Sequence, residues 1–521
     1  MRFLPIGPRT LLVELADLDE TLVLFDALGA DPVAGVAEII PAARTLMIRT
    51  LPGVAADAAL AARIAERRPA PGTRPAARAV ETVEIPVSYD GEDLADVAKH
   101  LGLSVAEVIA AHQATTWQVA FCGFAPGFAY MTGDDARFDL PRRPSPRTRI
   151  PAGSVALAGR FCGIYPQETP GGWQLIGTTR VPMWDLGRTP PALLRPGVRA
   201  RFVAGTAGIH PVAALPAPAA AEPGLTVVST AFPIVFQDEG RPGQGGQGVS
   251  VSGALDIGAL RRANRALGNP SGTPALEITL GPVRMRADRP LTLALTGAAT
   301  ATVVRDGQAT PVTPGAAFAM DAGDELLLPP PEAGMRSYLA LRGGFAVAPV
   351  LDSAATDTLA HVGPPAVTNG AVLAPAQRPA GAVAAEPAPG PALPKPGDLV
   401  ELPVTLGPRT DWFTPDMVTR FLTQEWLVTP QSSRVGIRLQ GAEPLSRPEA
   451  TELPSEGTET GAIQVPHSGQ PVLFLADHPL TGGYPVIATL DPAALDLAGQ
   501  TPPGARIRFV ARTPFAPIEP K

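Results

Sequence analysis

The sequence predicts a mainly β protein that begins with a small α/β domain. Three observations support that class. Short runs of β-branched and aromatic residues recur along most of the 521 residues, 53 glycines and 62 prolines interrupt them, and helical spacing is confined to a few brief stretches.

Residues 1–80 supply the α/β part. Residues 1–6 and 10–15 read as strands, 17–28 carries helical spacing at Leu22, Phe25 and Leu28, and 43–49 is a further strand. Residues 55–66 are strong helix formers, and the proline-rich 69–76 ends that helix. Residues 81–212 open with an alternating strand at 82–87. Helices follow at 93–100 and 104–113, the second with a serine cap signal, and then short strands suited to a strongly bent barrel. The alanine- and proline-rich 213–223 is a spacer. Residues 224–395 and 396–515 form two further β-rich lobes. Their strands fall at 275–280, 291–296, 301–305, 325–328 and 337–341, with helices at 261–267 and 415–424 and a second alanine- and proline-rich stretch at 375–396. No short-period repeat is visible.

The net charge of −7 argues against a nucleic-acid binder, which needs a basic surface for phosphates. Every hydrophobic run is too short for a bilayer, and the opening residues lack the regions of a signal peptide, so a cytoplasmic protein without membrane contact is expected. Cys122 and Cys162 are too few for a disulfide scaffold and fit a reducing compartment, although one bridge between them stays open. His467 and His478 stand too far apart for a close ligand pair, so no metal is expected. Walker, dinucleotide and nucleophile-elbow motifs are all missing.

Shaped loops hold the candidate chemistry. Between Gly123 and Tyr130, Phe124, Phe128 and Tyr130 offer rigid walls, or simply pack a barrel turn. The proline-stiffened stretch 141–149 presents Arg142, Arg143 and above all Arg147, whose guanidinium suits a carboxylate or phosphate; the bland reading is a solvated rim. Gly171 and Gly172 permit backbone amides to receive an anionic oxygen. Asp238 and Arg241 would face a common polar pocket through a glycine-rich bend. Asp256 caps the next helix, and Asn264 on it bonds either a neighbouring loop or a substrate. Glu277 lies inside a strand, where a carboxylate is costly unless paired or facing a cavity. Arg434 and Arg438 alternate with apolar residues and would emerge on one strand face. Gln464, Thr481, Gly482 and Gly483 sit in further shaped loops. His112 is a base or ligand candidate, weighed against a histidine on a helix surface.

These loops also carry a resemblance. Residues 1–212 resemble the B subunit of 5-oxoprolinase, the allophanate-hydrolase-subunit-1 family, through GVAEIIPA (35–42), GFAPGFAYM (123–131), PRRPSPRTRIPAGSVALAG (141–159) and GIYPQETPGGWQLIGTT (163–179). Residues from 224 to about 511 resemble the C subunit of the same enzyme, the biotin-dependent carboxyltransferase family. They do so through FQDEGRPG (236–243), GVSVSGALD (248–256), LEITLGP (276–282), LRGGF (341–345), SRVGIRLQG (433–441), SEGTETGAIQVP (455–466) and TGGYPVIATL (481–490).

The resemblance implies cyclophilin-like β-barrels and a fused component that acts beside a separate 5-oxoprolinase A subunit. In that system ATP with Mg2+ activates the lactam of 5-oxoproline for opening to glutamate. A site between the halves is expected, with Asp238, Arg241, Arg434 and Arg438 as polar walls. Two alternatives stand beside it: a carboxyltransferase moving carboxyl from carboxybiotin to urea or a similar amide, and a noncatalytic regulator of a sensor kinase. This chain shows no biotin-attachment segment, and a homo-oligomer is left open. Several positions depart from the family pattern: Cys162, Ser433, Val435, Val486 and, most extensively, residues 351–375.

Overall fold

The computed structural model describes residues 1–70, 81–143, 145–205, 222–448 and 453–521. The first four strands, β1 (Arg2–Gly7), β2 (Thr10–Glu14), β3 (Val36–Pro41) and β4 (Thr45–Thr50), form an antiparallel sheet in the order β1-β2-β4-β3. Apolar side chains leave both faces of this sheet. One face packs on α1 (Leu18–Ala30) and α2 (Ala58–Ala65) through Leu24, Leu28, Leu60 and Ile64. Asp17 and Asp57 cap the two helices by accepting backbone N–H bonds, which satisfies donors that a helix start leaves open. The other face, with Leu4, Ile6, Leu12, Ile40 and Met47, packs on Leu480 from the C-terminal lobe. The first unit is therefore bound into the rest by buried apolar surface.

Residues 82–204 form a seven-stranded sheet whose first and last strands, Thr82–Val87 and Arg199–Ala204, pair in parallel. Helices α3 (Leu94–Leu101) and α4 (Val105–Ala114) cover it; Ser104 and Glu107 close a capping box at the second. Residues 399–511 form a closed barrel in which Leu399–Leu406 and Arg506–Ala511 pair in parallel in the same way. Between these units, sheets of six and five strands share one core, with α5 (Ile257–Ala266) packed on the smaller sheet. The fold class is the expected one, mainly β with β-barrel sheets after a small α/β unit.

Most expected strands and helices form near their expected positions, because glycine and proline mark their ends. The strands Val36–Pro41 and Val283–Ala287 were not expected, however, and α5 starts at Ile257 rather than at 261. Helix α6 (Pro415–Thr423) lies at the anticipated insert, while a short α7 (Leu495–Gln500) was not anticipated. The second alanine- and proline-rich stretch is tied down as a strap: Gly381 N donates to Gly268 O (2.7 Å) and Gly334 N to Pro394 O (2.8 Å). Residues 71–76 of the helix stop and 213–221 of the spacer lie outside the described residues. Cys122 and Cys162 are both free and buried, so the open question of a bridge is answered against it.

Candidate functional site

A cleft of about 270 Å³ opens between the two halves. Residues 124–126 and 167–170 of the first half form one side; Gly248, Ser250, Asp357, 359–361 and 478–480 form the other. Close backbone packing fixes these walls. Gly127 N donates to Gln247 O (2.9 Å), and Phe124 N to Thr481 Oγ1 (3.2 Å). A Cβ at Gly123 would fall 2.2 Å from the Thr481 hydroxyl, and one at Gly248 only 2.7 Å from Ala125 O. Glycine is required at both places for the halves to approach. Farther out, Arg49 bridges Glu38 and Glu459, and Gly245 N donates to Glu38 Oε1 (2.8 Å).

The cleft floor is polar and buried. The Asp357 carboxylate accepts from Ser250 Oγ (3.0 Å), Leu359 N (3.0 Å) and Ala360 N (2.8 Å). Burial, with the neighbouring Asp477 charge, raises its pKa to about 6. His478 is also buried, and burial lowers its pKa, so it is neutral at neutral pH. Arg241 lies in the same charged neighbourhood, 1% exposed. It donates through Nη2 to the Ala355 carbonyl, while Nε and Nη1 have no hydrogen-bond partner among the described residues. Asp238 is fully engaged, accepting from Ser353 Oγ (2.6 Å), Ala354 N (2.6 Å) and Gly240 N (2.8 Å). The expected pair is thus close in space, but Asp238 anchors the segment after residue 351 and neither residue lines the cleft.

Arg434 forms a buried polar cluster. It donates to Asp477 (2.8 and 2.9 Å), Glu277 Oε1 (2.5 Å) and Gly253 O (2.7 Å). Burial opposes its charge, but Asp477 and Glu277 outweigh burial and raise its pKa. Arg434 in turn holds Asp477 below the usual carboxylate range against the effect of burial. Glu277 also accepts from Tyr338 OH (2.6 Å) and Leu255 N (3.1 Å), so the strand carboxylate is paired, as its burial requires. The cluster joins the middle and last lobes.

Several expected positions have other surroundings. Arg438 is on the exposed face of its strand, whereas Arg434 precedes the strand and turns inward; the shared face is not formed. His112 is neither on a helix surface nor at the cleft. It is fully buried among Tyr89, Trp117, Phe138 and Phe202, bonded to Tyr89 OH (2.8 Å), with Nε2 3.5 Å from Cys162 Sγ. Burial lowers the histidine to about 3 and pushes the thiol up, so this Cys–His pair stays neutral and is unsuited to nucleophilic attack. Arg147 grips Asp93 with two bonds of 2.9 Å and Glu92 with one of 3.0 Å, and Asp93 also accepts from Leu175 N (2.7 Å). Asn264 binds the Ser271 and Thr273 carbonyls (3.1 and 2.8 Å), which is the loop-bonding alternative.

Of the remaining positions, Thr481 belongs to the junction at the cleft, and Gln464 donates to Tyr484 O (2.9 Å). Gly482 packs against Gln464, and Gly483 lies near Leu453 O. Gly171 pairs with Arg147 across two strands and adjoins the cleft-lining Pro170; Gly172 accepts from Arg143 N (2.9 Å). Asp357 and His361 were not singled out individually. Their signal was the divergence of 351–375, which the structure places at the cleft.

The carboxyltransferase domain, subdomain A and B, matches residues 247–511, and the carboxyltransferase domain, subdomain C and D, matches residues 1–194. Over 287 residues, 55% of this chain, the sequence is 36% identical to the 5-oxoprolinase C subunit of Escherichia coli K12, covering 90% of that protein. Over 130 residues, 24% of this chain, it is 47% identical to the 5-oxoprolinase B subunit of Escherichia coli O157:H7, spanning 60% of that protein. The crystal structure of TTHA0988 superposes with a TM-score of 0.81 at 34% identity, covering 96% of this chain and 99% of that one. The chain therefore belongs to the carboxyltransferase-domain family, as a fusion of parts similar to the B and C subunits of 5-oxoprolinase.

Proposed function

We propose that this chain is the fused B and C component of an ATP-dependent 5-oxoprolinase, acting with a separate A subunit to open the 5-oxoproline lactam to glutamate. The observation that carries this reading is the cleft to which both halves contribute walls. Two parts similar to different subunits of one enzyme are fused, and the fusion aligns them around one small cavity. A volume of about 270 Å³ lies near the lower end of small-molecule sites. Phe124, Leu359 and Leu480 supply apolar surface for ring methylenes, and Ser250 and Asp357 supply a polar floor.

The same lining does not suit a magnesium-bound triphosphate. It includes Glu168 and Asp357 but no arginine or lysine among the described residues. The described residues also hold no group of three or more His, Cys, Asp or Glu placed for a metal. We therefore assign ATP to a place outside this cleft, in the complex with the A subunit, and limit this chain's cleft to holding the lactam.

The test is to mix the purified chain with its cognate A subunit and measure glutamate released from 5-oxoproline with and without ATP. Release only with ATP supports the reading. No turnover with a partner shown to be competent in another pairing overturns it.

A further inference from the structure

We propose that His361 binds the carboxylate of the substrate, so that the cleft selects a lactam bearing an acid group over the unsubstituted lactam. This assignment rests on the reading of the cleft as the 5-oxoproline site and names the residue that would recognise the acid.

Several other groups in the cleft are poor receptors for an anion. Glu168 and Asp357 repel one, and Glu168 is already paired with Arg149 (2.7 Å). The Ser250 hydroxyl is committed to Asp357. His478 is buried, and its Nδ1 lies 2.9 Å from Pro479 O and 3.3 Å from Thr458 Oγ1. The wall from the first half adds two further donors, the Gln167 amide and the Thr169 hydroxyl, the latter buried without a partner among the described residues. On the wall from the second half, His361 differs from the other polar groups. It lines the cleft, its side chain is exposed, and it has no side-chain hydrogen bond to another described residue. An imidazole N–H donates to a carboxylate in either protonation state.

The backbone fixes the direction in which the His361 side chain leaves the chain. His361 has φ 55°, in the left-handed region that side chains with a β-carbon seldom occupy, although histidine tolerates it better than most. The turn is braced from both ends. The Asp357 carboxylate takes Leu359 N–H and Ala360 N–H, and Asp357 N donates to Val362 O (2.8 Å). Gly363 follows at φ 111°, where a Cβ would come 2.1 Å from Ala355 O. A non-glycine residue kept in a costly conformation by its surroundings is a frequent mark of a ligand site. Asp357 is accordingly a positioning residue for the turn.

Equilibrium binding to the full chain tests the assignment, with 5-oxoproline and 2-pyrrolidinone as probes. His361→Gly, which relaxes the backbone and removes the donor, is expected to weaken 5-oxoproline by about tenfold, the scale of one charge-assisted hydrogen bond. Binding of 2-pyrrolidinone should be unchanged. His361→Asn keeps an N–H donor and tolerates the left-handed backbone, so it should restore most of the affinity. Unchanged 5-oxoproline affinity in His361→Gly overturns this assignment alone. An equal loss for both probes also overturns it, because the variant would then have damaged the cleft generally. Failure of the wild-type chain to bind 5-oxoproline overturns the assignment together with the reading of the cleft.

Discussion

In the sheet of residues 82–204, Trp117 donates its indole N–H to the carbonyl of His112, five residues back (3.2 Å), and His112 lies over Phe202 at 4.5 Å. In the barrel of residues 399–511, Trp426 donates to the carbonyl of Phe421, again five residues back (3.0 Å), and Phe421 stacks on Phe509 at 4.7 Å. Gly133 and Gly441 each face the ring of the corresponding tryptophan, leaving no space for a Cβ. The two units share a plan, and His112 takes the place that phenylalanine has in the other. This explains why its chemistry is suppressed: the position is an aromatic core site, and burial keeps the imidazole neutral.

The loop that follows the tryptophan strand separates the two units. In the first it runs through Phe124, Ala125 and Pro126 and walls the cleft. In the second it carries Arg434 into the carboxylates of Glu277 and Asp477. One plan therefore yields a cleft wall in one place and an ionic lock between lobes in the other. A buried arginine is consequently poor evidence of catalysis until its partners are known.

The largest effect should come from breaking the lock. Arg434→Met leaves buried Asp477 without its ion-pair partner and Glu277 with only the longer contact to Arg336 (3.7 Å), and should cost about 3–5 kcal/mol of unfolding free energy, measured by urea titration. The next prediction concerns His112→Phe, which copies the second barrel. Its stability at neutral pH should change by less than about 2 kcal/mol, the cost of leaving Tyr89 OH without its partner. Its acid response should change more clearly. The folded-state pKa of His112 is lowered to about 3 from 6.5, so below 6.5 the unfolded chain binds a proton that the folded chain refuses. Wild-type stability therefore falls as pH drops through this window, and the variant should fall less steeply in urea titrations at several pH values. The smallest effect is expected for Arg438→Ala on the exposed strand face, with stability unchanged within about 0.5 kcal/mol.

Much of the architecture was legible because local chemistry specifies it. The Ser104 and Asp256 caps and the strand at Thr82–Val87 follow from short stretches of sequence. Glu277 was also legible, since a carboxylate inside a strand demands a partner. Which partner it found was not, because Arg434 lies 157 residues away. The same limit hid the contact between His112 and Cys162, 50 residues apart, and the capture of Arg147 by Asp93, 54 residues apart. Arg438 misled through its spacing: the chain between Arg434 and the strand starting at Gly436 is irregular, so alternation did not extend across it. The divergent 351–375 segment marked the cleft wall, but only the fold brings Asp357 and His361 opposite Phe124.

The cleft between the halves is proposed to hold the substrate. Ala360 lines it, and Ala360→Trp would fill much of its space. The most direct measurement is ATP-dependent glutamate release by this variant with the A subunit, read beside its melting temperature. Loss of more than about 90% of turnover with a melting temperature within about 3 °C of wild type is the predicted result. Full turnover by the equally stable variant would place the substrate outside this cleft.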